Sequence, residues 1–107
     1  MKKDSYKEVA DEIYNAFEQK EYDVDLYEFE NDKYIGSEEC EVMIDNVFII
    51  AEVIYRLVVV DESFSHAFGI KREYSIQFDG IDDIYVNAYD EEGNEIEFDI
   101  NELKKYI

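Results

Sequence analysis

The chain has 107 residues and carries 29 acidic against 10 basic side chains, a formal charge of −19 at neutral pH. A chain of this length points to one domain over residues 1–107, and its 47% hydrophobic and 16% aromatic content supplies a core, which argues against wholesale disorder. The sign of the charge excludes direct nucleic-acid binding, which needs a Lys/Arg face, and disfavours an anionic membrane surface. The longest uninterrupted apolar run, Val47 to Ala51, falls far below the roughly 18 residues of a bilayer span. The start of the chain lacks the apolar core of about 7 to 15 residues that marks a signal peptide. The single cysteine, Cys40, offers no disulfide framework. These features point to the cytoplasm.

Ser5-Tyr6-Lys7-Glu8 fits a capping box and predicts a helix start. Tyr6, Val9, Ala10, Ile13, Tyr14 and Phe17 then recur at the spacing of one helical face, and Lys20 suits the negative end of the helix dipole. From Tyr22 the period becomes two: Tyr22, Val24 and Leu26 alternate with Asp23 and Asp25, then Tyr27 and Phe29 with Glu28 and Glu30. This predicts strand, with a bulge or strand end where the phase slips at Leu26-Tyr27. Asn31 to Ser37 reads as a loop.

Cys40 to Val60 admits a helical reading, with Glu52 and Arg56 four apart, but its many β-branched residues favour strands. Asp45-Asn46 reads as a hairpin turn between Cys40–Ile44 and Val47–Val60, and Asp61 to Gly69 as a loop. Tyr74, Ile76 and Phe78 alternate with polar residues, a turn is expected over Gly80–Asp83, a strand over Ile84–Tyr89 and a second turn over Asp90–Asn94. Ile96, Phe98 and Ile100 alternate with Glu95, Glu97 and Asp99, the pattern of a strand with one solvated face. Asp99 and Glu102 can cap a terminal helix whose Leu103, Tyr106 and Ile107 pack inward. The fold class is α+β: an N-terminal helix, about five mostly antiparallel strands in one sheet, and a short C-terminal helix.

The acids cluster. Residues 21–55 hold eleven acids and one base, Lys33, and residues 73–102 hold eleven acids and no base. On alternating strands such carboxylates share a face about 6 to 7 Å apart, with neighbouring strands about 4.8 Å away. The expected result is a two-dimensional anionic array comparable in density to duplex DNA, able to attract a basic groove. An acidic coat that merely keeps the protein soluble is the alternative, although solubility needs a net charge of only about 2 to 8.

No catalytic set emerges. His66 lies too close in sequence to Ser63 and Ser65 for the usual triad geometry and reads as a loop histidine. Cys40, between Glu39 and Glu41, has its thiolate suppressed and reads as a buried strand cysteine. One cysteine and one histidine do not make a zinc site without several carboxylates. Asp79–Asp83 and Asp90–Asn94 are oxygen-rich but lack the alternating ligands and distal glutamate of a calcium loop. Glu18-Gln19-Lys20 has a nuclease-like acid-x-Lys spacing, but it falls at a helix end on a surface that repels the substrate. The four scattered glycines make no phosphate-cradling loop. No enzyme activity, cofactor or metal is therefore expected. Among the ten tyrosines, Tyr27, Tyr34 and Tyr85 would point outward beside acids and suit interface anchoring.

Dense alternating acids, ten tyrosines, no proline and no catalytic set give the chain a character that resembles the small DNA-mimic proteins of phages and mobile elements, including anti-restriction and anti-CRISPR inhibitors. The resemblance covers general character and no residue-level motif. It implies a non-enzymatic inhibitor that occupies the basic nucleic-acid-binding surface of a target such as a host defence nuclease. The expected contact residues are Asp23, Asp25, Glu28, Glu30, Glu38, Glu39, Glu41, Asp82, Asp83, Asp90, Glu91, Glu92, Glu95, Glu97 and Asp99, with Tyr27, Tyr34 and Tyr85. The same electrostatics fit an immunity protein against a basic nuclease toxin, and the oxygen-rich turns leave a calcium-binding module as a further alternative.

Overall fold

Tyr6, Val9, Ala10, Ile13 and Phe17 form one buried stripe along helix α1 (Lys3–Glu18), in a computed structural model that describes residues 1–61, 64–66, 69–71 and 73–107, the backbone alone for 64–66, 70 and 71. The helical face is the one its periodicity predicts. Its start is not. The helix begins two residues before Ser5, its N-cap Lys2 makes no side-chain bond, and the Ser5 hydroxyl donates instead to the Asp45 carboxylate in the first hairpin turn. A tertiary partner thus takes the hydroxyl that the capping box needs. Lys20 lies past the helix end, where it pairs with Glu38 and sits 5.9 Å from the centre of the Phe17 ring.

Four strands form one antiparallel sheet in the order β1 (Lys33–Ile44), β2 (Val47–Asp61), β5 (Tyr74–Tyr89), β6 (Glu95–Ile96), while β3 (Phe64–His66) and β4 (Gly69–Lys71) pair separately. The fold is α+β as expected, with four strands in the main sheet where the sequence suggests about five. Asp45 and Asn46 both have positive φ, 52° and 62°, as a two-residue type I′ hairpin requires. They join β1 to β2 at the expected place. β1 is longer than predicted, because Asn31 and Asp32, also at positive φ, make a second tight turn. Lys33 to Ser37 is therefore strand, not loop. Likewise the expected Asp61–Gly69 loop contains β3. The side chain of His66 lies outside the described residues, as do Ser63, Phe68 and Arg72.

The expected strand over Tyr22–Glu30 does not form. Glu21 to Asp25 has no regular secondary structure and joins no ladder, although Tyr22 and Val24 are half-buried and the acids exposed. Period two reports a segment with alternate side chains against the core, whether or not a neighbouring strand pairs with it. The phase slip at Leu26-Tyr27 does mark a break, a single 3-10 turn over Leu26–Glu28. The expected strand through Ile100 similarly pairs only over Glu95–Ile96, since Asp99 caps helix α2 (Ile100–Lys104) by accepting from the Asn101 and Glu102 amides. Leu103 is buried and Ile107 packs on the core, but Tyr106 is exposed. Tyr14 Oη donates to the Ile107 carbonyl at 2.8 Å, and the Asp99 N–H donates to Tyr6 Oη at 3.1 Å, so α1 holds the C-terminus.

The expected turn over Gly80–Asp83 is absent, because β5 runs through it. Ile54 faces Asp83 while Tyr55 faces Ile81, and Arg56 faces Gly80 while Leu57 faces Phe78. Asp82 and Asp79 are therefore extra residues in two successive bulges. Both carboxylates bind Arg56, Asp79 Oδ2 accepting from Nε at 2.7 Å. Gly80, at φ 146°, supplies the backbone that other residues resist.

The core lies between α1 and one face of the sheet, where Ile49, Ala51, Val53, Tyr55, Leu57, Ile84 and Ala88 are buried. Rings of Phe17 and Tyr55 lie 5.4 Å apart, and those of Tyr22 and Tyr55 5.5 Å. Gly36 of β1 faces Tyr55, and a Cβ there would come within 2.5 Å of that ring. Tyr22 Oη donates at 2.7 Å to the Phe17 carbonyl at the end of α1, which has no partner within the helix. Burial, followed by neighbouring Tyr55 and Glu38, pushes the Tyr22 hydroxyl up to about 12 from 10.0. A raised folded value stabilises fully below the unfolded value and is lost as pH climbs through the folded one. Stability should accordingly fall as pH rises between about 10 and 12, and Tyr22→Phe should shrink that fall. Thermal melts of both proteins across the window check it, and identical profiles would contradict it.

Candidate functional site

The helices and the 21–30 segment pack on one face of the sheet. Strand alternation sends the other set of side chains to a face that no described helix covers. Such a face is ordinarily polar. Here β2, one of the two interior strands, presents Phe48, Ile50, Ile54 and Val58, interrupted by Glu52 and Arg56. The β1 residues beside them are Ile35, Ser37, Glu39, Glu41 and Met43, with Ile35 and Met43 exposed. β5 adds Asp83, Tyr85, Asn87 and Tyr89, and β6 adds Glu95.

Glu39 stands directly opposite Glu52 in the β1–β2 register. Directly opposite residues have Cβ atoms about 4.5–5.5 Å apart, and like charges so placed are destabilising. Glu41 lies two residues along on the same face. Among the described residues no cation pairs with any of these three, although Ser37 Oγ donates to Glu52 Oε1 at 3.1 Å. Elsewhere cations are supplied: Lys20 to Glu38, Arg56 to Asp79 and Asp82, and Lys104 to Asp83 at 3.3 Å. The Ile84 N–H at 2.9 Å, then Lys104, hold the Asp83 carboxyl below its ordinary range. A hydrogen bond to Asp83 in turn raises the Tyr85 hydroxyl.

The expected contact residues therefore separate into groups. Glu39, Glu41, Asp83, Tyr85 and Glu95 share the uncovered face, with Asp90, Glu91 and Glu92 in the turn at its end. Asp90 is also structural there, its Oδ1 accepting from the Glu92 and Asn94 amides, each at 2.9 Å. Asp23, Asp25, Glu28, Glu30 and Tyr27 lie on the segment that packs on the helix side, with Tyr27 83% exposed. Glu38 faces that side too, bound to Lys20, and Asp82 is held by Arg56. Glu97 and Asp99 lie past the last ladder pair, Asp99 as a cap. Tyr34 does not point outward: it is half-buried, its ring 5.6 Å from that of Phe29.

The carboxylates thus do not form the continuous two-dimensional array expected from alternation, because two of the acidic stretches join no ladder. What assembles is smaller, a Glu39–Glu41–Glu52 cluster set among apolar side chains. Sequence reasoning missed Glu52 and the apolar members Met43, Phe48, Ile50 and Tyr89. Cys40 lies half-buried in β1 on the helix side, and burial first, then Glu12, Glu38 and Glu41, push its thiol up, which keeps it protonated and unreactive. Among the described residues no three His, Cys, Asp or Glu side chains converge as metal ligands, and no helix is long and apolar enough to cross a membrane. Comparison with known protein families, with curated proteins and with solved structures found no match to this chain.

Proposed function

We propose that this chain is a non-enzymatic inhibitor, acting in the cytosol, that sits on the basic nucleic-acid-binding surface of a target protein and keeps nucleic acid away from it. The reading follows the anti-restriction and anti-CRISPR type of DNA mimicry. The observation that carries it is the Glu39–Glu52 juxtaposition beside Glu41 on an uncovered face. Among the described residues, cations reach acids on the bulges and beside the helix, yet none reaches these three. A target's lysines and arginines would relieve that repulsion on binding, and steer the approach. Tyr85, 58% exposed and opposite Glu52, adds a rigid amphipathic side chain of the kind enriched among interface anchors.

Affinity capture from host lysate with the intact protein tests the reading. A nucleic-acid-binding protein should be retained at low salt, released as salt rises, and displaced by duplex DNA. Retention of no such protein, or a partner indifferent to DNA, would overturn it.

A further inference from the structure

Building on the binding of a basic surface inferred above, we propose that the cleft at the hairpin end of the uncovered face receives one large apolar side chain from a lysine- or arginine-rich segment of the target. One register row crosses all four strands there: Met43 faces Phe48, Phe48 faces Tyr89, and Tyr89 faces Glu95. With Ile50, the three apolar members of that row floor a cleft of about 460 Å³, rimmed by Asp90 and Glu91. Met43 is 66% exposed, an apolar side chain held in water on the edge strand, two residues from Glu41 on the same face.

Charge complementarity selects the occupant. Glu41 lies beside Ile50, Glu95 beside Tyr89, and neither these two nor Glu91 has an ion-pair partner among the described residues. An apolar anchor flanked by cations satisfies floor and rim together, the arrangement of a buried hot spot inside a charged surround. A second copy of this chain would set the same acids against one another, a repulsive contact. A purely electrostatic mimic has no use for the floor.

The test uses a short lysine peptide with one central phenylalanine and its twin with alanine there, titrated into the full chain at several salt concentrations while amide resonances are followed by NMR. The phenylalanine peptide should bind about ten-fold tighter, the order expected for burying one large apolar side chain. Its specific shifts should fall at Met43, Phe48, Ile50, Tyr89 and Gly93. Met43→Thr, which retains a strand-favouring residue at an exposed site, should bring the two peptides level without changing the salt dependence of either. Equal binding of both peptides to the unaltered protein, each weakened by salt, would overturn the cleft as an anchor while leaving the acidic surface a binder. Failure of both peptides to bind at low salt would overturn the electrostatic reading as well. Phenylalanine-specific shifts elsewhere, or concentration-dependent self-association through the same residues, would also overturn the proposal.

Discussion

Phe17→Ala is expected to destabilise the protein by about 3–5 kcal/mol, the range for removing a buried aromatic ring. Phe17 is 3% exposed, and its ring lies 5.4 Å from that of Tyr55 and 6.0 Å from that of Phe78. It joins the end of α1 to two strands, and the Tyr22 hydroxyl is bonded to its carbonyl. The surroundings are poorly placed to collapse into the gap, since Tyr55 is confined by Gly36 on one side and Tyr22 on the other. A small domain commonly holds only about 5–15 kcal/mol in total, so the variant should lose much of its margin. Urea denaturation measures it. A change below about 1 kcal/mol would mean that the helix does not pack on the sheet through this ring, because such a loss is typical of surface positions.

Combined Glu39→Gln, Glu41→Gln and Glu52→Gln should have the largest effect on binding. Each carboxylate facing a cation at about 4 Å is worth about 1 kcal/mol in water, so three such contacts amount to about a hundred-fold in affinity for the captured target. The same variant should be no less stable than the parent, because it removes a cross-strand repulsion worth roughly 0.2–1 kcal/mol. Loss of binding with retained stability is a combination that damage to the fold does not produce. A control with the same change of charge, Asp23→Asn, Asp25→Asn and Glu28→Gln, alters the helix side and should weaken binding far less. Equal losses from both sets would shift the active element from the uncovered face to the net charge alone.

Much of the fold is legible in the sequence where a local signal has one structural meaning. The α1 face, the Asp45-Asn46 hairpin, the Asp90–Asn94 turn and the Asp99 cap are of this kind. Alternation is less specific. Tyr22–Asp25 and Glu97–Asp99 alternate because one side touches the core, and nothing in the pattern says whether a neighbouring strand pairs. The Gly80 region misleads for a related reason: a glycine among aspartates suits a turn, and suits equally a pair of bulges closed by an arginine 24 residues upstream. Glu52 was within reach. Counting outward from the two-residue turn at Asp45-Asn46 puts it opposite Glu39, once the strands are accepted as a tight hairpin. The apolar character of the other face is less legible, since the continuous apolar run of β2 does not reveal that the described helices cover only one of its faces.

The affinity of the captured target, measured from low to high salt for the parent and for the Glu39/Glu41/Glu52 variant, tests most directly whether these carboxylates stand in for phosphates. The logarithm of the parent's binding constant should fall linearly with the logarithm of salt concentration, and the variant should bind more weakly with a shallower slope. A parent affinity that ignores salt, or a variant with the parent's slope, would contradict the account.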